Sequence, residues 1–133
     1  MVVRNWRDVH PTVGHNGKLI WSLLNATETT ATTATTATGE TGARLQGFQS
    51  LTLHRQQGGG EGDYHEHADK EQVYFFLAGR GRMKIGEQWY DVREGDAVQV
   101  PPKTGHQLIN TTDDWIEHLI ITARVHPPDA TAA

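Results

Sequence analysis

The chain of 133 residues has no cysteine, which excludes a disulfide framework and any thiolate metal site. It also lacks an apolar run long enough to span a bilayer, and its N-terminus lacks the basic-then-apolar order of a secretory signal. No membrane partner is expected, and a soluble, cytoplasmic protein is the default reading. Positive charge is scarce and scattered: 12 Lys and Arg stand against 16 Asp and Glu, for a formal net charge of −4. Without a basic stripe to neutralise phosphates, no nucleic acid is expected as a partner. Long runs of helix formers are missing too, whereas 14 glycines and 5 prolines divide the chain into short segments, the pattern of many strands joined by tight turns. A single domain of this length buries a core without covalent staples.

Along the chain, residues 1–24 form an N-terminal arm of strands, with Asn16-Gly17 a strong turn signal before a strand at 18–24. His10 and His15 lie in turn regions and, without a partner at ligand spacing, read as solvated polar residues. Residues 25–42, where Thr-Thr-Ala recurs from Thr29 onward, hold no large apolar side chain and cannot offset their ordering entropy. An exposed, mobile loop is expected there, with a lid over a pocket mouth as its functional alternative. Strand character resumes in 43–126, at first with an ambiguous register in 44–55, where Phe48 falls on the opposite parity from Leu45, Leu51 and Leu53. Residues 73–77 are apolar on both faces, which suits a strand between a core and a second sheet edge or subunit. Gly79, Gly86-Glu87, Glu94-Gly95-Asp96 and Pro101-Pro102 then separate further short strands, the last two at 106–110 and 115–125. Residues 127–133 should fray. So many short antiparallel strands imply a sandwich or a closed barrel.

The stretch His65-Glu66-His67 organises the chain. On a strand, alternate side chains share a face, so His65 and His67 project together with Glu66 turned outward. A third imidazole and an oxygen from neighbouring strands would complete a site for a divalent transition metal, which nitrogen-rich ligation suits. The surrounding residues resemble the cupin family. Gly59, five residues, His65-Glu66-His67, four residues, Gln72, six residues and Gly79 follow its first motif, with glutamine where glutamate is commonest. Gly95, five residues, Pro101, then His106 and Asn110 follow the second motif. One position departs: the glycine expected two residues after Pro101 is Lys103, with Gly105 nearby, which leaves the local turn open. The resemblance spans about 45–123 and implies an all-β, cupin-type β-jelly-roll barrel (a double-stranded β-helix) in a single domain, with a metal inside the barrel.

The resemblance also implies the ligands: His65, His67 and His106 around one divalent transition metal (Zn, Ni, Mn, Fe or Cu). For the fourth position pattern spacing favours Gln72, and ligand chemistry favours the carboxylate of Glu71. Adjacent strand residues face opposite ways, so only one of them reaches the metal, and spacing weighs toward Gln72. Three neutral imidazoles and an amide would leave the ion its full charge and make it a strong Lewis acid. Tyr74 and Phe76 share the parity of Gln72 and should face inward; Tyr74 and Glu71 are the candidate catalytic proton-transfer groups. His54 and His118 lie outside both motifs and are expected in structural roles, while Asn110 is expected to support the ligands or a turn. The function expected is that of a metal-dependent enzyme acting on a small oxygenated organic substrate, by isomerase, cyclase, lyase or dioxygenase chemistry. The alternative is a non-catalytic cupin that binds or senses a metal or small ligand. A homodimer is expected, formed through the outward parity of Val73, Phe75 and Leu77 and the N-terminal strand.

Overall fold

The structure, a computed structural model, describes residues 3–26 and 44–125. A 3₁₀ turn (Trp6–Asp8) is capped by the side chain of Asn5, which accepts from the Arg7 amide at 3.0 Å. Among the described residues nine strands follow: β1 (Thr12–Gly14), β2 (Lys18–Asn25), β3 (Ser50–Gln56), β4 (Lys70–Ala78), β5 (Arg80–Ile85), β6 (Gln88–Arg93), β7 (Ala97–Val100), β8 (His106–Ile109) and β9 (Ile116–Arg124). Six of them make one antiparallel sheet in the order β1-β2-β3-β9-β4-β7, and three make a second in the order β6-β5-β8. This is the expected all-β jelly roll. Among the described residues no helix is long and apolar enough to cross a membrane.

Alternation along the strands builds the core between the two sheets. On β4, Tyr74 and Phe76 are buried while Val73 and Phe75 stay 37% and 41% exposed. On β9, Ile116, His118, Ile120 and Thr122 share the inner face. Tyr74, Phe76, Met83, Val92, Val100, Leu108, Ile116 and Ile120 make one apolar cluster. Burying a side chain of this size stabilises the fold by about 2–3 kcal/mol. A second cluster, of Val9, Trp21 and Leu53 with Trp6, Leu77 and Leu119 against it, covers the other face of the large sheet. The N-terminal segment therefore supplies part of the cover that the two-sided apolar stretch at 73–77 requires.

Several expectations shift in detail. Residues 44–49 form no strand, and Phe48 is exposed. The parity conflict disappears because Phe48 lies before β3. The turn signal at Asn16-Gly17 is a run of left-handed backbone, with φ of 48° at His15, 62° at Asn16 and 93° at Gly17. Lys103 adopts φ of 56°, the conformation a glycine would take at that position, so the turn survives the departure at a cost of about 1–2 kcal/mol. Gly79 has φ of 84°, and a Cβ there would collide with the Trp115 backbone, so no other residue fits. Apart from Asn25 and Ala26, the Thr/Ala-rich stretch and its suggested lid lie outside the described residues, as does the tail.

Candidate metal centre

The two motifs meet through the backbone. Residues 61–67 do not form a continuous strand. They run beside β8 and touch it by isolated bridges at Glu61–Ile109 and His65–His106. His65 donates its amide to the His106 carbonyl at 3.1 Å, and His106 donates to the His65 carbonyl at 2.9 Å. The Lys103 amide donates to the His67 carbonyl at 2.7 Å, so the strained turn is what holds the second histidine. The ring centroids lie 4.2 Å apart for His65 and His106, 5.0 Å for His65 and His67, and 5.6 Å for His67 and His106. Each ring offers a nitrogen within 4.8 Å of the other two.

Hydrogen bonds set which nitrogen is offered. His65 Nδ1 lies 3.1 Å from the Asp63 carbonyl and His106 Nδ1 lies 3.3 Å from the Thr104 carbonyl. A carbonyl only accepts, so each Nδ1 carries the proton and each Nε2 keeps its lone pair, the tautomer a metal ligand needs. His106 Nε2 is buried and has no hydrogen-bond partner among the described residues. Burial, then the nearby His65, lowers the His106 pKa to about 4, and burial with His65 and Lys70 lowers that of His67. Both rings are therefore neutral near pH 7.

Gln72 and Glu71 separate cleanly. Gln72 lines a cavity of about 220 Å³ together with His65, His67 and Tyr74. Its Nε2 donates to Thr122 Oγ1 at 3.1 Å, and its buried Oε1 has no partner among the described residues. A buried acceptor left bare costs about 1–3 kcal/mol. Gln72 Oε1 and His106 Nε2 are two such acceptors. The cluster of three imidazoles, each with a nitrogen within 4.8 Å of the others, fits a divalent ion. Glu71 is not brought to the cavity: it neighbours Gln72 on β4, and the strand alternation turns it to the other face.

Tyr74 also lines the cavity, its ring stacked on His118 with centroids 5.2 Å apart. Burial, with Asp63 adding to it, raises its pKa, so the hydroxyl keeps its proton. Asn110 serves the turn: its Nδ2 donates to the carbonyls of Gln56, Gln57 and Asp114, and its Oδ1 accepts from the amide and hydroxyl of Thr112.

Four residues near the site were underrated by sequence spacing. His118 is fully buried, stacked on His54 at 5.2 Å, and neither of its nitrogens has a hydrogen-bond partner among the described residues. Its expected role was structural, and rings rather than hydrogen bonds hold it. His54 lines the cavity and bonds Thr52 through Nε2 at 2.9 Å. Burial, then Lys18, lowers its pKa to about 3. His15, expected to be merely solvated, lines the cavity, stacks on His65 at 5.0 Å and bonds Asp63 at 3.1 Å. Lys18, only 5% exposed, lines the same cavity. The Asn16-Gly17 turn folds β1 against β2, and the pairing of β2 with β3 carries His15 and Lys18 to the cavity.

Comparison with known proteins bears on the family and the fold. The chain is 39% identical over 46 residues to an uncharacterised protein of Methanocaldococcus jannaschii, covering 35% of this chain and 37% of that one. It is 33% identical over 75 residues to a glucose-6-phosphate isomerase of Thermococcus onnurineus, covering 53% and 38%. The chain thus spans less than two fifths of either relative's length. In fold it is similar to a predicted oxalate decarboxylase of Thermotoga maritima, with a TM-score of 0.73 at 15% identity, covering 93% of this chain and 100% of that one. The model of the cupin domain matches residues 52–122, both motifs included, and the chain belongs to the cupin family.

Proposed function

We propose that this cupin is a metal-dependent enzyme acting on a small oxygenated organic molecule, with His65, His67, His106 and Gln72 holding the ion. The observation that carries the reading is the pair of buried, unpartnered acceptors, His106 Nε2 and Gln72 Oε1, at a cluster of three neighbouring imidazoles. A divalent ion there would supply Lewis acidity, polarising a substrate carbonyl or hydroxyl oxygen so that the adjacent C–H becomes acidic. Gln72 contributes an oxygen without charge, which leaves that acidity undiminished. Tyr74, which lines the cavity and keeps its hydroxyl protonated, is the group assigned to donate a hydrogen bond to the oxygen on which negative charge develops. The neutral His67 and His106 remain ligands over the ordinary pH range.

The likeness to proteins named glucose-6-phosphate isomerase favours isomerisation of a hydroxy-carbonyl compound over dioxygenase chemistry. The test is anaerobic incubation of the metal-loaded protein with short hydroxyaldehydes and hydroxyketones in D₂O, followed by NMR. Deuterium appearing at carbon beside the carbonyl supports the reading. Turnover that requires oxygen would replace it with the dioxygenase, and tight binding without turnover with the sensing module. A homodimer through the exposed Val73 and Phe75 completes the proposal, and light scattering at micromolar concentration checks it.

A further inference from the structure

The cavity beside the triad has an unbalanced wall. Lys18 and Lys70 line it with His15, His54, His65 and His67, and no aspartate or glutamate is among the lining residues. His54 and His67 are neutral near pH 7, so Lys18 and Lys70 bring the positive charge to this wall of a chain whose net charge is −4. Lys18 is the sharper feature. It opens β2, outside the residues 52–122 that the family model matches, and is 5% exposed. Among the described residues it has no carboxylate within ion-pair distance. Its ammonium packs close against Gly62, where a Cβ would lie 3.0 Å from Nζ. Burial lowers its pKa to about 8, with Asp63 as the only opposing influence, so it is cationic near neutrality. Buried charges are ordinarily paired. Here a chain with acids to spare leaves one unpaired beside a candidate metal centre.

We propose that Lys18 is the anchor for an anionic group of the substrate, a carboxylate or a phosphate, whose hydroxyl or carbonyl oxygens then reach the His65–His67–His106 cluster. This rests on the metal-centre reading and narrows its substrate class to small acids. The cavity of about 220 Å³ falls below the size of drug-sized pockets, in keeping with a short-chain acid. Lys18 reaches the cavity from an added strand, so the residue that selects the substrate is separate from the motif that holds the ion.

Matched pairs test the proposal: lactate against propane-1,2-diol, and glycerol 3-phosphate against glycerol, titrated into the zinc-loaded protein by calorimetry or NMR. A charge-assisted bond to a buried ammonium makes the anionic member of at least one pair bind about ten- to a hundredfold tighter, and the pair that responds identifies carboxylate or phosphate. Lys18→Gln and Lys18→Met abolish that preference while the metal-to-protein ratio is unchanged. Equal affinity within both pairs overturns the proposal. So does a preference that survives both substitutions, and if that preference vanishes when a chelator strips the metal, the metal reading stands without Lys18. A Lys18-dependent preference that persists in stripped protein supports the anchor and separates it from the metal.

Discussion

Gln72 and Thr122 stand opposite each other on β4 and β9, and the 3.1 Å hydrogen bond from Gln72 Nε2 to Thr122 Oγ1 leaves the amide oxygen buried and bare. The threonine thus selects which end of the amide faces the cavity. Thr122→Val should weaken metal binding about tenfold, the lower end for loss of a group that orients a ligand. Gln72→Ala should weaken it more, and Glu71→Ala should leave it nearly unchanged. Competition titrations with a chromophoric chelator rank the three, and a larger effect at Glu71 would reverse the assignment.

Lys18 gives a stability prediction with a definite sign. Its pKa falls from 10.5 to about 8 on folding. Below about pH 8 the ammonium is charged in both states, and its burial counts against the fold. Between about 8 and 10.5 the folded chain releases a proton that the unfolded chain keeps, so stability rises with pH. Lys18→Met should therefore be more stable than the parent at pH 7, by up to about 3 kcal/mol, and the advantage should shrink toward pH 10. Urea unfolding of both proteins at the two pH values checks this, and an advantage that grows with pH would contradict it.

Asn110 is 1% exposed and ties the carbonyls of Gln56, Gln57 and Asp114 to the turn after β8. Asn110→Ala leaves several buried groups bare and should cost about 3 kcal/mol or more, seen as a lower melting temperature. Metal affinity should hold in the fraction that remains folded, because the side chain touches the loop and not the ligands.

Lys103 carries the opposite expectation. At φ of 56° it occupies backbone that glycine adopts without strain, so Lys103→Gly should stabilise the protein by about 0.5–1 kcal/mol once the greater freedom of the unfolded glycine is counted. The Lys103 amide still donates to the His67 carbonyl, so metal binding should be preserved.

The fold was legible because short alternating strands and turn residues are local signals. The hairpin glycines and the inward parity of Tyr74 and Phe76 could be read without the structure. The candidate site was legible only in part. His65 and His67 were expected to converge by strand alternation, yet they sit in irregular chain that a single bridge to His106 aligns. Lys18 and His15 were not legible as site residues, because no spacing along the chain relates them to Gln72 or His106. Only the pairing of β2 with β3, and of β3 with β9, carries them there. The same pairing sets His118 against His54 and Phe76, a stack that neither motif encodes.

His65, His67, His106 and Gln72 are the donors proposed to hold a divalent transition metal. Elemental analysis of protein purified without a histidine tag, repeated on His106→Ala after folding is verified by circular dichroism, tests this most directly. About one transition-metal ion per chain is expected in the parent, and its loss in the variant. A folded parent that contains no such metal and takes up none of zinc, nickel, manganese, iron or copper on titration would contradict it.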